Sequence, residues 1–134
     1  MGLSCKSIEK FLIGDFMLKF LSVGLGGALG AILRYSFSFL PIVSNKTIFI
    51  NIIGAIVIGF VSFFSKNIKV LDHRLVLFLT TGLCGGFTTF STFSLETVQL
   101  LEKEQYFLAL LYSLGTVVLS LLGIYIGYYL AKLF

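Results

Sequence analysis

Charge is the scarcest thing in this sequence. Only 12% of its 134 residues are Asp, Glu, Lys or Arg, and 57% are hydrophobic. Ordinary soluble domains carry roughly a quarter charged residues. A chain this poor in polar surface is excluded from the soluble class and needs lipid as its solvent. Histidine is almost missing as well: His73 stands alone between Asp72 and Arg74 in a connector, with no second imidazole to help it hold a metal. Cys5 and Cys84 lie far apart in the chain, one near the start and one inside an apolar run, so neither a disulfide nor a thiolate metal site is expected. No acid–base pair and no nucleophile–histidine set occurs within an apolar run, which argues against an enzyme. Ten-residue alternating strands are absent too. Met1–Lys19 has no small-residue cleavage site after a short apolar core, so no removable signal is expected. Residues 1–18 read as a short tail, either amphipathic on the headgroups or disordered.

What the sequence does have is long apolar runs. A bilayer core of about 30 Å takes about 20 helical residues to cross, and four stretches qualify: about 20–40, 47–65, 75–98 and 106–131. Helices are the expected form, because every peptide group inside lipid must find its partner within the protein. The fold class is therefore all-α integral membrane, one unit of four transmembrane helices over residues 1–134. The net charge of +4 comes from basic residues scattered at the ends of the runs, which fits membrane-surface anchoring and not nucleic acid. Lys6, Lys10, Lys19, Lys66, Lys69, Arg74 and Lys132 fall on the side shared by both termini, and Arg34, Lys46 and Lys103 on the other. That bias places both termini in the cytoplasm.

Several residues inside the runs are out of character. Gly24, Gly26, Gly27 and Gly30, with Ala28 and Ala31, give the first span a face almost free of side chains, suited to close helix packing. Arg34 follows one turn later; it needs a partner, a carbonyl or an aqueous vestibule, unless it snorkels to the interface. Asn51 interrupts an Ile- and Val-rich second span. Its carboxamide either glues two helices together or offers its N–H₂ group to a passing anion. The fourth span carries Tyr112, Thr116 and Ser120 at four-residue intervals, a polar stripe on one helix face, followed by the small pair Gly123 and Gly127.

The third span is the oddest. Gly85-Gly86 is followed by Phe87-Thr88-Thr89-Phe90-Ser91-Thr92-Phe93-Ser94, where glycines loosen the backbone and hydroxyls compete for it. A break in the helix is expected near Gly85–Thr89. At membrane depth such backbone must be buried in protein or line a cavity, and its freed carbonyls become available to a small cation. Phe90 and Phe93 share a helix face, and aromatic rings carry electropositive edges.

Three blocks in this order resemble the Fluc (CrcB) family of fluoride channels: Gly27-Ala28-Leu29-Gly30-Ala31-Ile32-Leu33-Arg34-Tyr35, Asn51-Ile52-Ile53-Gly54, and Gly85-Gly86-Phe87-Thr88-Thr89-Phe90-Ser91-Thr92-Phe93-Ser94-Leu95-Glu96-Thr97. The third is highly specific. The resemblance implies an antiparallel, dual-topology dimer of four-helix subunits in a bacterial plasma membrane, with two pores at the subunit boundary. It implies a structural Na+ at the centre, held by the backbone carbonyls of Gly85 and Thr88 from each subunit. It further implies that Asn51, Phe90, Phe93, Tyr112, Thr116 and Ser120 line the fluoride path, with Arg34 near its entrance. Nothing in the spans resembles coupling machinery, so passive export of fluoride is expected.

A proton-coupled drug exporter of similar size needs a carboxylate in its cavity, and only Glu96 is near enough to a span to serve. The seven-to-three lean of the basic residues also leaves open a heterodimer with an oppositely oriented homologue in place of a homodimer.

Overall fold

The structure is a computed structural model that describes residues 5–40, 45–67 and 71–134, with side chains in 13–40, 45–66 and 71–134. The expectations that rest on Met1–Ser4, on the side chains of Cys5, Lys6 and Lys10, and on Lys69 lie outside the described residues. Among the described residues every regular element is helical: α1 (Cys5–Phe37), α2 (Lys46–Asn67), α3 (His73–Leu77), a π-helical stretch (Phe78–Cys84), α4 (Gly85–Phe87), α5 (Phe90–Glu102) and α6 (Tyr106–Ala131). Four stretches are long and apolar enough to cross a membrane: Ile13–Phe37, Lys46–Lys66, His73–Glu102 and Tyr106–Ala131.

The first helix begins well before Phe20. The two charges of this part whose side chains are described are paired: Lys19 lies 2.6 Å from Asp15 one turn earlier, and Arg74 reaches the same carboxylate at 3.6 Å. Paired in this way they do not interrupt the helix. Asp72 caps α3 by accepting the Arg74 N–H at 2.9 Å. At the other end of the third span, Glu104 adopts the left-handed conformation (φ 59°). The Glu104 N–H then reaches the Leu101 carbonyl and the Gln105 N–H the Leu100 carbonyl, each at 2.9 Å. This closes α5 in a Schellman-type turn and sends the chain directly into α6.

The packing is inverted relative to a soluble protein. Among the described residues no large side chain is fully buried, and Leu, Ile, Phe and Tyr side chains crowd the outside. Gly26, Gly30, Gly54, Gly59, Gly82, Gly123 and Gly127 are buried instead. Lipid removes the hydrophobic penalty for the first and rewards the close approach permitted by the second. Two seams result. On one side α1 lies against Phe78–Phe87, where a Cβ on Gly30 would collide with the Leu83 carbonyl and one on Gly86 with the Gly27 carbonyl. On the other side α2 lies against α6, where a Cβ on Gly59 would meet the Ile124 carbonyl and one on Gly127 the Ile56 carbonyl. The pair Gly123 and Gly127 is therefore used within the subunit.

Candidate functional site

Between α4 and α5 the backbone leaves the helical region. Thr88 (φ −73°, ψ 159°) and Thr89 (φ −149°, ψ 109°) are both extended. Two peptide units at membrane depth thus lose the partners a helix would give them, and each unpaired buried group costs about 1–3 kcal/mol. Side chains from two other helices take over. The Asn51 carboxamide accepts from the Thr89 N–H at 2.9 Å and donates through Nδ2 to the Thr89 carbonyl at 3.3 Å, imitating a neighbouring peptide. Arg34 donates to the Thr88 carbonyl at 3.1 Å. Thr89 then starts α5 with its own hydroxyl, which accepts the Thr92 N–H at 3.1 Å and is 5% exposed.

Carbonyl oxygens at the end of α4 are left out of this exchange, that of Gly85 among them. In a continuous helix the Thr89 N–H would bond the Gly85 carbonyl; here it is given to Asn51, and the Gly85 carbonyl is deprived of that donor. Among the described residues no three His, Cys, Asp or Glu side chains gather, so backbone oxygens are what a cation would find in this region.

Beside the extended pair lies an open cavity of about 390 Å³ between α2, α5 and α6. Seven of the positions singled out in the sequence meet on its wall: Asn51, Gly85, Thr88, Phe90, Phe93, Thr116 and Ser120. The rest of the lining is apolar apart from Thr89, and no ionised side chain contributes. Phe90 and Phe93 lie 5.5 Å apart between ring centroids, tilted by 45°, yet their surroundings differ sharply. Phe93 is 9% exposed, whereas Phe90 is 78% exposed and projects from the subunit.

The hydroxyls differ too. Thr116 donates to the Tyr112 carbonyl one turn back at 2.7 Å. Ser120 shows no hydrogen-bond partner among the described residues, so its hydroxyl is available to whatever enters. Tyr112 is not on the cavity wall. Its ring stacks on Phe93 at 5.5 Å, and its hydroxyl donates to Glu96. Arg34 is likewise off the wall, held on the Thr88 carbonyl.

Sequence reasoning missed the cluster around Glu96. Its carboxylate is half-buried and accepts from Tyr112 and from the Thr47 hydroxyl, the latter at 2.9 Å. Neutral donors on two other helices hold it where an ion pair might have been expected. The available signal was helical spacing, since Thr47 stands one turn before Asn51 on the same face of α2.

Residues 21–128 match the profile of the family described as CrcB-like protein, Camphor Resistance (CrcB). A "Fluoride-specific ion channel FluC" of Helicobacter pylori (strain Shi470) is 42% identical over 123 residues, spanning 86% of this chain and 94% of that protein. The protein of the same name from Helicobacter acinonychis (strain Sheeba) is 42% identical over 125 residues, 87% of this chain and 98% of its own. One from Chlorobium phaeobacteroides (strain BS1) is 40% identical over 118 residues, 84% and 92% respectively.

Proposed function

The chain belongs to the CrcB family, and from that membership and the neutral cavity beside Thr88–Thr89 we propose that it forms a fluoride channel in the bacterial plasma membrane. It is a transport protein and not an enzyme, and it lets fluoride leave the cytoplasm down its electrochemical gradient. The observation that carries this reading is the wall itself: a carboxamide, hydroxyls and aromatic rings converge on one cavity with no fixed charge among them. Fluoride is small and strongly hydrated, so a path through lipid must replace its water with hydrogen-bond donors. Neutral donors do this without the deep electrostatic trap of a buried ammonium, and conduction requires sites the ion can leave.

In this reading Ser120 offers its hydroxyl from α6, Thr116 completes that wall with its hydroxyl engaged on the Tyr112 carbonyl, Phe90 and Phe93 offer ring edges, and Asn51 offers the N–H of Nδ2 not used on Thr89. Tyr112 acts from behind, fixing Phe93 by stacking and Glu96 by its hydroxyl. Arg34 steadies the extended segment and adds positive potential near the entrance.

The cavity is open on one side, and polar groups such as Asn51 and Ser120 are costly to leave facing lipid. A second subunit closes it. We take that subunit to be an inverted copy, giving a dual-topology dimer with a path on each side. The lean of basic residues toward the side of the termini favours a second reading, in which the partner is an oppositely oriented homologue. Accessibility of a C-terminal tag from each side of the membrane separates the two: two populations for the homodimer, one for the mixed pair.

The Gly85 and Thr88 carbonyls suit a structural Na+, a hard cation that prefers neutral oxygen ligands. Gly85 has lost its helical donor, and the Thr88 oxygen keeps a second lone pair beside the Arg34 bond. Two oxygens from one chain are too few to satisfy the ion, which puts it between subunits. Bound there, it would tie the two extended segments together.

Fluoride efflux from vesicles containing the purified protein, with chloride as control, tests the assignment. Efflux selective for fluoride is expected, and Phe90→Ile and Phe93→Ile are each expected to suppress it at least tenfold while the assembled protein still elutes as the parent does. Vesicles no leakier than empty ones would overturn the function. Undiminished efflux in both variants would remove the rings from the path.

A further inference from the structure

The groove between α2 and α6 does not stop at the cavity described above. A second cavity of about 510 Å³ continues it toward the end of the subunit that carries the C-terminus, sharing Ile58 and Ile124 with the first. Its polar lining is Ser62, Lys66 and Tyr128. Helical spacing explains the continuity. Thr116, Ser120, Ile124, Tyr128 and Lys132 recur every four residues on α6 and its C-cap, and Ile58, Ser62 and Lys66 recur on the facing side of α2. One groove thus has a neutral polar end, an apolar neck at Ile58 and Ile124, and a basic end.

We propose that this basic end is a collecting site for small anions, the mouth through which fluoride reaches the neck; this rests on the channel reading above. One lysine lines this end, and a second stands against one of its wall residues. Lys66 lines the cavity, whereas the Lys132 ammonium lies outside the lining, 4.8 Å from the centroid of the Tyr128 ring that forms part of the wall and 5.4 Å from that of Tyr129. Among the described residues neither lysine has a carboxylate partner, whereas Lys19 and Arg74 at the same end are both engaged with Asp15. The hydroxyls of Ser62 and Tyr128 add neutral donors beside the charges, a combination suited to an anion shedding part of its water.

Distance decides what such charges do. Fifteen residues of helix separate Lys66 from Asn51, about 22 Å at the helical rise. That exceeds the Debye length of about 8 Å at physiological ionic strength. At physiological ionic strength Lys66 therefore raises the anion concentration at the mouth far more than it deepens the site at Asn51. Its effect belongs to entry, at low fluoride and low salt.

Efflux measured at sub-saturating fluoride in zwitterionic vesicles, with a gluconate salt varied from about 10 mM to 1 M, tests this. Over that range the screening length falls from about 30 Å to about 3 Å. Lys66→Gln is expected to slow efflux about threefold at low salt, Lys66→Glu further, and Lys66→Arg hardly at all. The differences should close at high salt. Equal rates for Lys66→Gln and parent at every ionic strength would overturn the mouth while leaving the channel intact. A deficit seen only when anionic lipid is added would assign the lysine to headgroup contact and overturn it too. Absence of fluoride efflux from the parent protein would remove both readings together.

Discussion

The third span has two neighbours and meets them in opposite ways. Toward α1 it offers backbone: Gly82 and Gly86 lie on Gly26 and Gly27, and no room is left for a side chain. Toward α2 and α6 it offers Thr88, Thr89 and Phe93 across a cavity. The same stretch is thus sealed on one face and open on the other. The π-helical turn in Phe78–Cys84 accompanies the sealed face, where an over-wide turn brings carbonyls outward against another backbone. The contrast separates what holds the subunit together from what an ion can use. Damage to the sealed face should remove the protein, and damage to the open face should remove only the flux.

The largest effect is expected from Gly30→Val. Its branched side chain would fall on the Leu83 carbonyl and within 2.7 Å of the Phe87 nitrogen, atoms that cannot rotate away. Overpacking costs about 1–3 kcal/mol even where side chains can shift, and a backbone collision lies at the upper end. Loss of the assembled peak on size exclusion is the expected outcome. Gly24→Ala on the same helix has nothing within 4 Å and should elute normally. If Gly30→Val assembled as well as Gly24→Ala, the sealed face would not be the structural one.

Asn51 belongs to both faces of the comparison, because it lines the cavity and also holds the Thr89 peptide. Asn51→Ala leaves a buried N–H and a carbonyl without partners, a cost of about 2 kcal/mol or more. A lowered thermal unfolding midpoint in detergent is expected together with a fall in efflux. Asn51→Asp keeps the acceptor for the Thr89 N–H but loses the donor and adds a charge, so efflux should fall further than in the alanine variant. A midpoint unchanged by Asn51→Ala would separate the residue from the extended pair.

Much of this architecture is legible before any coordinates. Four long apolar runs give four spans because lipid permits few alternatives, and glycine-spaced faces announce close packing. The pairings are not legible. That Asn51 is spent on Thr89, and that Thr47 and Tyr112 converge on Glu96, depends on the rotation of helices separated by a connector, which local spacing does not encode. Tyr112 shows the limit well. The stripe Tyr112, Thr116 and Ser120 is a true helix face, yet stacking on Phe93 turns the first member away from the cavity that the other two line. The early start of α1 was hidden for a similar reason, since Asp15 gains part of its partnership from Arg74, distant in sequence. The π-helical stretch, packed on α1, had no signal in the local sequence.

The smallest effect, and the sharpest test of the open face, concerns the two hydroxyls left on that stripe. Thr116 is 4% exposed and donates to the Tyr112 carbonyl, so only its lone pairs face the cavity, and an anion has no use for them. Ser120 has its proton free to turn toward an ion. Deleting one donor to a charged ligand is worth about 1.5 kcal/mol, or roughly tenfold in rate if the contact is made at the barrier. Ser120→Ala should therefore slow fluoride efflux about tenfold, whereas Thr116→Val, which keeps the volume and removes a hydroxyl already engaged, should slow it about twofold. Neither should change the elution profile. If the order were reversed, the Thr116 hydroxyl would have to leave its carbonyl as the ion passes, and the neutral wall would be a moving part and not a fixed one.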